Sequence, residues 1–152
     1  RRAIMALSSA WDGGAAVARF PDAAVCDTHA LAHHALGTGR LGKQAAALFD
    51  ACDAGAAIIY VPAVVMMEFG IVFGGRRRRS LMSLRDFFEG LFANPAYQAF
   101  DLTPEQVFLS DEQRPNNDPF DRLICAAALR LDLPLITRDT AITEWGRVRV
   151  VW

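Results

Sequence analysis

The chain has 152 residues, of which 53% are hydrophobic and 22% charged, with a formal charge of −1. This suits one domain with a proper core, and excludes a disordered chain, a coiled coil and a uniformly basic nucleic-acid binder. No run approaches the ~18 apolar residues of a membrane span. Cys26, Cys52 and Cys125 lie in apolar stretches without metal-ligand spacing, as expected of reduced core thiols in a cytoplasmic protein.

Residues 1–22 lack a continuous apolar segment and are expected to be a loosely ordered extension, with the domain at 23–152. AAVCD (23–27) predicts a short buried strand ending in an acid, followed by a helix that stops at Gly37. LGKQAAALFDACDAG predicts a helix ending near Gly55, and AAIIYVP a strand closed by Pro62. AVVMMEFGIVFGG reads as an apolar helix carrying one acid, Glu68. After RRRRS, Leu81, Leu84, Phe87, Phe88 and Leu91 recur at helical spacing.

AYQAFDLT predicts a third strand. TPEQVFLSDEQ opens a helix with a Thr cap and a proline at its first position. DPFDRLICAAALRLD is expected to be a helix, LPLITRD a strand and VRVVW a last strand. Short strands alternating with helices make a parallel sheet covered on both faces, so the fold class is a three-layer α/β domain.

Strand C-termini in such a sheet share one edge, which is where α/β folds open ligand crevices. Asp27 ends the first strand and Asp139 follows the fourth. Asp121 heads a helix entering from that edge, and Glu68 is an acid in otherwise apolar surroundings. Taken singly, each has a structural alternative. Asp118 before Pro119 is close to an ideal N-cap, Asp121 complements the helix dipole, and Asp139 fits a turn. Taken together, four carboxylates without four basic partners raise one another's pKa values unless a divalent cation neutralises them. Oxygen donors suit Mg²⁺ or Mn²⁺, and such sites serve phosphodiester cleavage.

CDTHALAHHALG, VPAVVMMEFG, NDPFDRLICAAALRLDLPLITRD and VRVVW resemble PIN-domain ribonucleases, specifically the VapC toxins of toxin–antitoxin pairs, over about residues 23 to 152. The resemblance implies a sheet of about five strands in the order 3-2-1-4-5 and a pocket holding Mg²⁺ or Mn²⁺. It implies cleavage of RNA such as tRNA or rRNA, a cognate antitoxin, and a homodimer. Asp27, Glu68, Asp121 and Asp139 match the family's catalytic acids, with Asp27, Asp121 and Asp139 as metal ligands. Asp118, Thr28 and Thr137 match further pocket positions. Arg76, Arg77, Arg78 and Arg79 fall where the family places a helical arm near the substrate path, and adjacent arginines in a loop suit RNA phosphates.

His33 and His34, where relatives often carry tryptophan, are expected to pack, since neighbouring helix positions point apart. Alternatives are a PIN-type nuclease acting on DNA and a catalytically silent binding module. A phosphoryl-receiving domain is a third, but it needs a lysine near the acids. Lys43, the one lysine, is expected on a helix elsewhere.

Overall fold

The computed structural model describes residues 21–74 and 82–152. In chain order the elements are β1 (Ala23–Cys26), α1 (Thr28–Ala35), α2 (Lys43–Asp53), β2 (Ile58–Pro62), α3 (Ala63–Phe73) and α4 (Leu84–Phe92). There follow β3 (Tyr97–Phe100), α5 (Pro104–Glu112), α6 (Pro119–Leu131), β4 (Leu135–Ile136), α7 (Thr140–Trp145) and β5 (Val150–Val151). The five strands form one sheet in the order β3-β2-β1-β4-β5, and every pairing is parallel. This is the expected α/β architecture. Ala24, Val25 and Cys26 of the central strand are fully buried, as helices covering both faces require.

Phe49, Leu31, Leu48, Ile59, Ile124, Leu135 and Ile136 are the bulky fully buried side chains of the core. Each contributes about 1.5–3 kcal/mol by leaving water. The core continues between α3 and α4, where the Phe69 ring stacks on Phe87 with centroids 4.7 Å apart and meets Phe88 edge-on. Ser83 and Asp86 cap α4 reciprocally, each side chain accepting from the other's backbone N–H. That cap makes Leu84 the first helical residue and leaves it 44% exposed, so it does not share the buried face expected of it. Leu81, the four arginines 76–79 and residues 1–20 lie outside the described residues.

The histidine pair packs as expected, each ring on a different neighbour. His34 stacks on Phe49 at 4.4 Å and sits 3.0 Å from Asp53, which also accepts the Tyr97 hydroxyl at 2.5 Å. His33 meets Trp152 edge-on. All three cysteines are buried and free. Among the described residues, no helix is long and apolar enough to cross a membrane.

The last two strands are shorter than their apolar runs suggested. In LPLITRD only Leu135 and Ile136 pair with neighbours. The Thr137 hydroxyl accepts the Asp139 N–H at 3.1 Å, and the chain turns there into α7, a helix not expected from the sequence. In VRVVW only Val150 and Val151 form the strand.

Candidate metal centre

Register brings the acids to one edge. Cys26 lies opposite Ile136, and Ile136 opposite Val151. One residue further, the Asp27 N–H donates to the Ile136 carbonyl at 3.1 Å and the Thr137 N–H to that of Val151 at 3.2 Å. Asp27 and Thr137 therefore leave the sheet side by side, where the Thr137 hydroxyl helps to hold the Asp27 pKa down.

Helix caps then fix three of the acids. Asp27 is the N-cap of α1, with one carboxylate oxygen accepting the Ala30 N–H at 2.6 Å. Asp139 caps α7 through the Ile142 N–H at 3.1 Å. Asp118 caps α6, accepting from Phe120 at 2.8 Å and Asp121 at 3.3 Å. Glu68 is half-buried on α3, which packs against both α6 and α1.

Asp121 is held by a residue the sequence reading passed over. Asn116 accepts the Asp118 N–H on its side-chain oxygen at 2.8 Å and donates its amide to Asp121 Oδ2 at 2.7 Å. An asparagine that folds onto the backbone two residues ahead is a common turn device. Here the same turn aims the amide at the acid. Thr28 is fully buried, and its hydroxyl has no hydrogen-bond partner among the described residues.

The electrostatics show that the acids act on one another. Burial raises the Asp121 carboxyl to about 6, with Asp118, Asp139 and Glu68 adding to the rise and the Asn116 amide opposing it. Burial also raises Asp27; hydrogen bonds from Thr137 and Ala30 resist this, and Glu68 adds to it. Cys125, one turn along α6 from Asp121, triangulates the cluster. Burial first, then Asp121, Asp139 and Asp27 together, push its thiol up to about 12. Among the described residues, the ion pairs involve none of Asp27, Glu68, Asp121 and Asp139.

No three His, Cys, Asp or Glu side chains among the described residues stand close enough together to form a ready cation cage. Mg²⁺ does not need one, because it takes one or two carboxylates directly and keeps several waters. The donors fit such an ion: all are oxygens, burial desolvates Asp27 and Asp121, and His29, the basic side chain that acts on Asp27, does not offset the rise that burial causes there. With one oxygen each of Asp27 and Asp139 committed to a cap, a second oxygen remains on each.

The structure brings together Asp27, Glu68, Asp121, Asp139, Asp118 and Thr137, and sets Thr28 directly after Asp27. Lys43 begins α2 and has no part in the group. Asp118 has the geometry of a cap, which leads to a separable expectation. Asp118→Asn should leave stability nearly unchanged, because asparagine caps about as well, whereas Asp118→Ala should cost about 0.5–2 kcal/mol. Thermal melts of the two variants decide this; equal losses would remove the capping role.

Comparison with known proteins gives a consistent picture of the fold. Rickettsia felis VapBC2, solved bound to a DNA fragment from its promoter, matches with a TM-score of 0.65 at 12% identity, over 86% of this chain and 98% of that one. FitAcB from Neisseria gonorrhoeae matches with a TM-score of 0.62 at 16% identity, over 84% and 96%. A toxin–antitoxin complex from Klebsiella pneumoniae matches with a TM-score of 0.56 at 22% identity, over 85% and 96%. No curated protein sequence matches the chain significantly. The family model of the PIN domain matches residues 24–148, which take in the strands β2, β3 and β4, nearly all of β1 and all four edge acids. The chain belongs to the PIN-domain family.

Proposed function

We propose that the protein is a Mg²⁺- or Mn²⁺-dependent endoribonuclease, the toxin of a VapBC-type pair. The observation that carries this reading is the sheet edge where Asp27 and Asp139 cap helices and Asp121 heads α6, its carboxyl raised to about 6 by burial and by three other carboxylates. That charge balance is costly to a fold and useful to an ion. Asp27, Asp121 and Asp139 would hold the metal, with Glu68 the fourth acid of the group. When bound, the metal supplies charge for the scissile phosphate and lowers the pKa of water to generate a nucleophile.

The protein's own part is mostly positioning. Capping bonds fix the Asp27 and Asp139 carboxylates to helix starts, and the Asn116 amide orients Asp121. These bonds lower the number of rotamers available to the acids before any ligand arrives, which is the preorganisation a cleavage site needs. The helix N-termini of α1, α6 and α7 face the same edge and favour anionic groups there.

A toxin role is supported by the fold shared with toxin–antitoxin proteins, and it implies an antitoxin partner that covers this pocket. The choice of RNA over DNA is tested by offering labelled single-stranded RNA, single-stranded DNA and flapped DNA in Mg²⁺. Cleavage of the RNA at internal positions, with both DNAs intact, is the expected result. Cleavage of a DNA alone would overturn it.

A further inference from the structure

Arg138 stands immediately before Asp139, yet among the described residues it forms an ion pair with neither that carboxylate nor any other. Its guanidinium lies over the Trp152 ring instead, 6.0 Å from the centroid. Trp152 is itself fixed. Its backbone closes so tightly on Gly42 that a Cβ there would collide, and its ring meets His33 edge-on with centroids 6.5 Å apart.

Arg40 belongs to the same quadrant. It is exposed on the loop leading to Gly42, its N–H bound to the Thr38 hydroxyl at 3.4 Å, and that hydroxyl lies 2.9 Å from His33 Nδ1. Burial lowers the His33 pKa first, and Arg138, Arg40 and His29 then lower it further. Arg85 pairs with Glu89, and Arg114 and Arg122 share Asp111, whereas Arg130, Arg147 and Arg149, like Arg138 and Arg40, form no ion pair among the described residues.

Arg138, next to Asp139 in the chain and over Trp152, and Arg40, on the loop that closes on Trp152 at Gly42, are thus two exposed arginines on the side of the sheet edge that ends in Trp152. Their position suits a chain that carries regularly spaced negative charge. The acids, through a metal, would take the phosphate that is cut, and the arginines would take phosphates beside it. We propose that Arg138, oriented by Trp152, and Arg40 form the track that guides the RNA backbone into the acidic pocket. The track rests on the nuclease reading above. Arg138 and Arg40 contact phosphate, and Trp152 is a positioning residue.

Anisotropy of a fluorescein-labelled single-stranded RNA in EDTA, over a salt series, measures binding without cleavage. Steady-state cleavage in Mg²⁺ and a thermal melt accompany each variant. Arg138→Gln and Arg40→Gln should each reduce the magnitude of the log K against log salt slope by about 0.7, the share of one phosphate contact on a single strand. Both should raise KM several-fold at unchanged kcat. Arg138→Lys should keep the slope. Trp152→Leu should raise KM while keeping the charge, since the arm then loses its support. Arg85→Gln, on distant α4, should alter neither slope nor KM. A folded Arg138→Gln and Arg40→Gln with parental slope and parental KM would overturn the track. Unchanged RNA binding combined with weakened binding of an acidic protein would also overturn it, in favour of a protein-docking surface. A parent that cuts no RNA would instead remove the nuclease reading itself.

Discussion

Replacing Asp121 by asparagine should abolish RNA cleavage and, in the metal-free protein at neutral pH, raise the melting temperature. The direction follows from the competing effects at the start of α6. A carboxylate in a first helical turn gains about 0.3–1 kcal/mol from the helix dipole, and the Asn116 amide adds a hydrogen bond at 2.7 Å. Burial and three neighbouring carboxylates act the other way and prevail, because the carboxyl ends at about 6 rather than below its ordinary value. An unfolded aspartate titrates near ~3.9, so the folded protein holds this proton more tightly. The associated stability is fully present below about 3.9 and is lost as pH rises through about 6.

Asparagine cannot ionise, so the variant should lack the decline that Asp121 causes in the parent between those two pH values. It keeps a side-chain oxygen for the Asn116 amide and so preserves the local turn. Melts across pH, run beside a cleavage assay, check both halves. A variant that melts well below the parent and still cuts RNA would make Asp121 a piece of helix architecture and nothing more.

Much of this site was legible because it lies at boundaries between elements, where sequence signals are sharpest. Asp118 before Pro119 announces the cap that the structure shows, and Asp27 ends an apolar run that can only be a buried strand. The sheet order came with the family resemblance, since short apolar strands do not by themselves state their neighbours.

Other features depend on tertiary contacts. Asp139 looked like the end of a strand, because LPLIT is apolar and α7 is only six residues long, too short to show a period. Asn116 belongs to an NND run that reads as a turn. Its hydrogen bond to Asp121 exists only because α6 starts where it does. Likewise Arg138 and Trp152 meet only because Ile136 pairs with Val151 on adjacent strands. Leu84 shows the converse: a correct helical period, but a cap at Ser83 that places the first apolar residue in solvent.

The largest effect of all should come from removing the metal. Burial raises Asp27 and Asp121, none of the four edge acids forms an ion pair among the described residues, and an acidic pocket alone cannot supply a nucleophile from water at neutral pH. The most direct measurement is therefore cleavage of labelled RNA by the purified chain in EDTA, followed by titration with Mg²⁺ or Mn²⁺, with Asp121→Asn carried in parallel. The account requires no cleavage in chelator, saturable recovery as metal is added to the parent, and no recovery in the variant. Equal cleavage with and without chelator, or full recovery of Asp121→Asn, would contradict it.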